Sequence, residues 1–79
     1  MKKKFSTVGI DTVSTLTSRE LQVMLLICNE LSPNEISKRL KISEKTFFNH
    51  RANILSKIQA RTNIGLLCFA VKSGYYRIN

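Results

Sequence analysis

Hydrophobic residues recur at helical spacing in four stretches of the chain, and no stretch alternates as a strand would. The pattern predicts helices near residues 18–29, 33–40, 44–58 and 63–73. The first is apolar on nearly all sides, which is typical of a central, buried helix. In the third, Phe47, Ile54 and Ile58 share one side and predict its buried face. The expected fold is all-α, a compact bundle of four helices.

Polar residues at the expected helix starts support these boundaries. Side chains that can accept hydrogen bonds from free N-terminal amides precede each helix, at Thr17, Ser32, Ser43 and Thr62. Glu20 and Glu35 follow the first two by three residues, which predicts a capping box at each. Gly74 follows the fourth helix and suits its C-terminal end.

The first 14 residues lack helical periodicity and predict an extended arm or linker, so the domain is expected to span residues 15–79. The lysines at positions 2–4 fit either a solubilising tail or an arm that contacts the DNA backbone. Cys28 and Cys68 are too far apart for a metal knuckle or a redox pair. Both lie in apolar helical patterns, and we expect two reduced core cysteines.

The charge of the chain narrows the classes of partner. Thirteen Lys and Arg against five Asp and Glu give a net charge of +8 over 79 residues, which favours nucleic acid, anionic membranes or acidic proteins. No apolar run approaches the roughly 18 residues of a membrane span, and no secretory signal follows the first lysines. We therefore expect a cytoplasmic protein. Without a nucleophile–base pair or phosphate loop, we expect neither catalysis nor a cofactor.

Residues 34–58 predict a helix-turn-helix, in which one helix braces the DNA backbone and the next enters the major groove. The arc of the third helix opposite its buried side carries Lys45, Phe48, Asn49, Ala52 and Asn53, with Arg51 and Lys57 beside it. An asparagine amide can pair with adenine, and Phe48 or Ala52 can contact thymine methyl groups. Phe48 can alternatively pack sideways against the second helix. The alternative to DNA contact is that the whole arc is an ordinary solvent-exposed helix surface.

Several linked motifs resemble the LuxR/FixJ/GerE-type DNA-binding domain without a gap, over roughly residues 16–73. Residues 16–20, LTSRE, resemble the opening LTxRE of that family, and 34–37, NEIS, resemble KEIA. Residues 42–47, ISEKTF, resemble ISxxTV, and 50–54, HRANI, resemble HRxNI. Residues 57–58, KI, stand where the family has KL.

The resemblance implies that the third helix reads the major groove and that dimers bind paired half-sites. The implied base-reading positions are Phe48, Asn49 and Ala52. The implied backbone contacts are Glu44, Lys45, Thr46, Arg51 and Lys57. The fourth helix would supply the dimer surface through Leu66, Leu67 and Ala70.

Three positions depart from the family pattern. Glu30 stands where the family has a glycine after the first helix, so a residue with a side chain must make that bend, with Asn29 as a helper. Phe48 and Ala52 stand where lysines are frequent. Their absence lowers the positive charge of the groove face and leaves the target sequence open.

The expected function is sequence-specific binding of double-stranded DNA, as the effector domain of a bacterial transcription regulator. Homodimerisation through the fourth helix and contact with RNA polymerase are further expectations. The alternative is a non-catalytic adaptor that keeps the fold and docks on another protein.

Overall fold

The computed structural model describes residues 16–78, which form four helices. They are α1 (Ser18–Cys28), α2 (Pro33–Leu40), α3 (Glu44–Ile58) and α4 (Asn63–Lys72). The predicted all-α fold is confirmed, and every helix end lies within one residue of its predicted position. The arm predicted for residues 1–14 lies outside the described residues.

All four predicted N-caps are present. The side chains of Thr17, Ser32, Ser43 and Thr62 each accept a hydrogen bond from the amide three residues later. At α1 and α2 the glutamate of the capping box also accepts from the cap amide, at 2.9 Å for Glu20 and 2.8 Å for Glu35. These caps are local, so the sequence alone predicted where each helix begins.

All four helices also end in the same way, with a residue in the left-handed region of φ. These residues are Glu30, Lys41, Gln59 and Gly74. At the end of α1, the amide of Glu30 donates to the carbonyl of Ile27, and the amide of Leu31 donates to that of Leu26. This pair of bonds is a Schellman motif, which glycine fits best because an L side chain is strained at positive φ. Asn29 supports the bend, since its Nδ2 donates to the Leu25 carbonyl at 3.0 Å.

Replacing Glu30 by glycine should therefore stabilise the domain. Glu30 has φ 64°, and relief of that strain is worth about 1 kcal/mol. Thermal unfolding should shift upward by roughly 4–8 °C, as followed by circular dichroism. Glu30→Ala is the matched control, because it removes the same side chain but keeps a Cβ at positive φ. An equal gain in both variants would contradict the strain argument.

The core lies around α1, which contacts each of the other three helices, as the apolar pattern predicted. The fully or nearly buried apolar side chains are Val23, Met24, Cys28, Ile36, Phe47, Ile54, Leu55, Leu66 and Ala70. The prediction for the cysteines was right for Cys28 and wrong for Cys68, whose side chain is exposed on the outer side of α4. Burial raises the pKa of the Cys28 thiol and so disfavours its thiolate.

The connection between α2 and α3 is as short as predicted. Lys41 adopts φ 59°, and the amide of Ile42 donates to the carbonyl of Ser37 at 3.0 Å. The Ile42 side chain packs against the core. This turn holds α2 and α3 in contact and leaves the outer side of α3 uncovered by the other described helices. In residues 16–78, no helix has the length and apolar content needed to cross a membrane.

Candidate nucleic-acid interface

The outer side of α3 is exposed along the arc that the sequence predicted. Lys45, Asn49, Ala52 and Asn53 are all exposed, as is Phe48. The opposite side is held in the core by Phe47, Ile54 and Leu55. Leu55 was not among the residues predicted to be buried, because it lies beside the stripe formed by Phe47 and Ile54. The arrangement presents one continuous helix face, rigidly backed by the core.

The aromatic contact of Phe48 is with the preceding residue of α3, and no packing against α2 accompanies it among the described contacts. Its ring lies 5.0 Å from that of Phe47 at an interplanar angle of 71°, an edge-to-face contact. The Phe48 side chain lines an open groove of about 630 Å³. Pro33 of α2 and Ile64 of α4 line the same groove. The side chain is nevertheless 46% exposed. Phe48 is thus held by a contact within α3 and offers apolar surface on the outer face of that helix.

Hydrogen bonds tie the first turn of α3 to α2. Asn34 Nδ2 donates to Glu44 Oε2 at 3.1 Å, which joins the first turns of the two helices. Ser43 Oγ donates to Thr46 Oγ1 at 3.0 Å and accepts from the Thr46 amide at the same distance. Two of the predicted backbone-contacting residues, Glu44 and Thr46, are therefore positioned by polar contacts within the helix-turn-helix.

Arg51, another predicted backbone contact, is half-buried and bonded to α4. Its Nε donates to Asn63 Oδ1 at 2.7 Å. This bond joins the middle of α3 to the first residue of α4 and uses one of the guanidinium donors. The other N–H groups of the fork still have donor capacity for an anion.

Lys57 is held by an ion pair with α1. Its Nζ lies 2.9 Å from Glu20 Oε1, and its side chain is 33% exposed while that of Glu20 is buried. The same Oε1 atom accepts the capping-box bond from the Thr17 amide. Burial alone would raise the pKa of Glu20, but the hydrogen bonds from Lys57 and Thr17 outweigh it and the pKa lies below 4.5. A carboxylate at the start of α1 thus holds the last turn of α3.

This lowered pKa predicts a loss of stability in acid. The unfolded chain binds the Glu20 proton more tightly than the folded chain does, so the contribution is present above the ordinary pKa of 4.5. It is lost as the pH falls through the folded pKa. Urea unfolding between pH 7 and pH 3 should show a weaker acid dependence in Glu20→Gln than in the wild type. Glu35→Gln measures the contribution of Glu35 to the same acid dependence of stability. The pKa of Glu35 is also lowered, chiefly by its hydrogen bond from the Ser32 amide. An unchanged profile in Glu20→Gln would contradict the assignment.

Exposed cations also lie on α2 and at the start of α3. Lys38, Arg39 and Lys41 of α2 and its following turn are exposed, as is Lys45 at the start of α3. Within residues 16–78, Lys38, Lys41 and Lys45 form no side-chain hydrogen bond or ion pair. Their charges are available to an anionic partner.

The predicted dimer surface on α4 requires a correction. Leu66 and Ala70 have no exposed area, because they point toward α1 in the core, and Leu67 is half-buried. The exposed apolar side of α4 is instead formed by Ile64, Cys68 and Val71, with Ile64 75% exposed. The burial of Leu66 and Ala70 was not predicted because both sides of α4 are apolar.

The polar contacts between helices were not predicted from the sequence. Glu20 was recognised only as a capping residue, and Asn34 and Asn63 were given no role. Their partners are 37, 10 and 12 residues away along the chain. No periodic signal marks pairs at such separations. Across the described part of the chain, no group of three or more His, Cys, Asp or Glu side chains is arranged to hold a metal ion.

Comparison with known proteins gives a consistent match. The model of the family described as "Bacterial regulatory proteins, luxR family" matches residues 14–70. The response regulator UvrY of Escherichia coli strain K12 is 36% identical over 61 residues, which are 77% of this chain and 28% of that protein. The transcriptional regulatory protein DegU of Brevibacillus brevis is 35% identical over 63 residues, covering 80% of this chain and 27% of that protein. The chain thus spans less than a third of these two relatives.

The fold also matches a solved structure. The response regulator StyR superposes with a TM-score of 0.81 and 31% sequence identity. The match covers 90% of this chain and 36% of that chain.

Proposed function

Because the chain belongs to the luxR family of bacterial regulatory proteins, a family of DNA-binding transcription regulators, we propose that it binds double-stranded DNA with α3 in the major groove. The observation that carries this proposal is the exposed face of α3, with Phe48, Asn49 and Ala52 held outward by a buried opposite side. The proposed role is recognition without catalysis, as a regulatory domain in the bacterial cytoplasm.

The proposed base contacts follow from the side chains on that face. The Asn49 amide can donate to and accept from the edge of adenine, and Phe48 and Ala52 offer apolar surface to thymine methyl groups. Since Phe48 and Ala52 carry no charge, sequence preference would rest on one amide and on apolar contacts. A preference for A·T base pairs under this face is the expected consequence.

The proposed backbone contacts lie around that face. Lys45, Thr46 and Glu44 lie in the first turn of α3, where free amides also favour a phosphate. Arg51 has donors beyond its bond to Asn63. The exposed cations of α2 would add contacts from the bracing helix. Lys57 was also predicted for this group, but its Nζ forms an ion pair with Glu20.

The test is an in vitro selection from random DNA duplexes, followed by affinity measurements at several salt concentrations. A DNA-binding domain should lose affinity with a log–log slope of about −0.9 per phosphate contact. Half-site spacing in the selected duplexes reports dimerisation at the same time. Failure to enrich any motif, together with a flat salt dependence, would reject the proposal.

Asn49→Ala should relax the preference at one base pair by about 1–3 kcal/mol. The physical reason is that the Asn49 amide can form a bidentate pair with adenine at that position. Asn53→Ala, one helical turn further on, is the matched control and should leave that base pair unaffected. The measurement is a repeat of the selection with each variant. An unchanged motif in Asn49→Ala would reject Asn49 as a base-reading residue.

Dimerisation on paired half-sites is a further part of the proposal. The exposed apolar stripe of Ile64, Cys68 and Val71 replaces Leu66 and Ala70 as the proposed contact between copies. The three positions lie on one side of α4 at a spacing of four and three residues. RNA polymerase is a further proposed partner of the bound dimer.

An adaptor that docks on another protein is the second candidate. Phe48 and Ile64 are both exposed and line the same groove, which is an apolar surface that a protein partner could cover. The salt titration separates the two candidates. An adaptor without DNA binding would show no salt-dependent affinity for any duplex.

A further inference from the structure

We infer that Glu20 is a positioning residue for the recognition helix and that Lys57 serves as its internal anchor rather than as a phosphate contact. The inference rests on the proposed function, since it concerns how α3 is held for DNA binding. It departs from the family resemblance, which places Lys57 among the backbone contacts.

The first argument is the geometry of the pair. A single carboxylate oxygen, Glu20 Oε1, accepts from the Thr17 amide and from Lys57 Nζ, both at 2.9 Å. The start of α1 and the end of α3 are therefore joined at one atom, across 37 residues of sequence. Glu20 is buried and the Lys57 side chain is 33% exposed, so this contact is partly shielded from solvent.

The second argument is the way that α3 is held along its length. Asn34 bonds to Glu44 at its start, Asn63 bonds to Arg51 at its middle, and Glu20 bonds to Lys57 at its end. These bonds join it to α2, α4 and α1 respectively. Among these three, the bond to Glu20 alone fixes the last turn.

The position of the last turn of α3 also affects where the proposed base-reading residues lie. Lys57 lies eight residues beyond Asn49, which is roughly 12 Å along a helix axis. A tilt of about 10° over that distance displaces one end relative to the other by about 2 Å. A hydrogen bond to a base edge does not tolerate such a shift, because its heavy atoms must stay within about 3.2 Å. Loosening the Lys57 end should therefore reduce sequence discrimination.

The fourth argument is charge. The positive charge of Lys57 already faces the Glu20 carboxylate at hydrogen-bond distance. Such a lysine displaces few counterions from DNA, because the pair is close to neutral. If Lys57 is an anchor, its removal should change specificity and leave the salt slope unchanged.

The experiment compares Glu20→Gln and Lys57→Met with a matched control, Glu35→Gln. Gln at the third helical position keeps a capping box, so Glu20→Gln removes the charge without removing the cap acceptor. Glu35 occupies the same position in the capping box of α2 but is exposed and has no hydrogen bond to α3. The double variant Glu20→Gln/Lys57→Met removes both charges of the Glu20–Lys57 pair and serves if a single variant fails to fold.

The first measurement uses no DNA. Residual dipolar couplings of backbone amides report the orientation of α3 relative to α1 at a temperature where each variant is folded. Glu20→Gln and Lys57→Met should change that orientation, whereas Glu35→Gln should not. Lys57→Arg retains a cation for Glu20 and should restore the wild-type couplings. Unchanged couplings in both test variants, with only a lower unfolding temperature, would overturn the positioning role.

The second measurement uses two duplexes, the one selected by the wild-type chain and one of the same composition in shuffled order. The ratio of the two affinities should fall about tenfold in Glu20→Gln and in Lys57→Met, roughly the loss of one base contact. In Lys57→Met the salt slope should stay at the wild-type value, because the charge removed there was already paired with Glu20. A slope that decreases by about 0.9 in Lys57→Met, with an unchanged ratio, would show a phosphate contact and overturn the inference.

The two measurements separate this inference from the proposed function. If the wild-type chain binds neither duplex, the proposed function fails. The orientation of α3 in the DNA-free variants then still decides whether Glu20 positions that helix.

Discussion

Phe47→Ala should leave the domain largely unfolded at 37 °C, whereas Phe48→Ala should leave it folded. Phe47 is 2% exposed and lies in the core between α1 and α3, so its removal leaves a cavity that costs about 3–5 kcal/mol. A domain of this size has little stability beyond that amount. Phe48 is 46% exposed, and its loss removes mainly the edge contact with Phe47, worth about 0.5–1.5 kcal/mol.

Urea unfolding followed by circular dichroism measures both variants. Because the two residues are adjacent and chemically identical, each is the matched control of the other. Phe48→Ala should also alter the selected DNA motif under the proposed function, while its helix content stays at the wild-type value. Comparable losses of stability in the two variants would contradict the division of α3 into a buried side and an exposed side.

Leu66→Asp should unfold the domain, whereas Ile64→Asp should affect only association between copies. Leu66 has no exposed area, so a carboxylate there loses its hydration without gaining a partner, at more than about 5 kcal/mol. Ile64 is 75% exposed, and a polar replacement should change stability by less than about 0.5 kcal/mol. A negative charge on both copies of a shared surface would repel across the twofold axis.

Helix content reports the first effect, and binding to duplexes with one or two half-sites reports the second. Ile64→Asp should retain binding to a single half-site and lose cooperativity on two. A folded Leu66→Asp variant would contradict the core assignment of α4. Unchanged cooperativity in Ile64→Asp and in Val71→Asp would reject the proposed contact surface.

The family relationship indicates the kind of partner, and the structure indicates which side chains are accessible to it. Membership of the luxR family supports DNA recognition by a helix-turn-helix, and the structure shows which side chains are exposed to take part. The departures at Phe48 and Ala52 give the outer face of α3 less positive charge than the family pattern has. Its cations lie on α2 and at the start of α3, where they would contribute affinity rather than sequence preference.

The amino-acid sequence by itself determined the four helices, their N-caps and the exposed arc of α3. Each of these depends on residues within one or two helical turns, such as Thr17 with Glu20 or Phe47 with Ile54, and local chemistry is readable from spacing. It also determined that Glu30 would have to make a bend normally made by glycine, which the positive φ at that residue confirms.

Only the tertiary structure decided which side of α4 is free and which polar groups join the helices. Leu66 and Ile64 are both apolar, and periodicity cannot rank two apolar sides of one helix until the position of α1 is known. Likewise, Glu20 meets Lys57 only because α1 and α3 pack against each other. Contacts between residues far apart in sequence depend on how the helices pack, and the spacing of residues along the chain carries no record of that geometry.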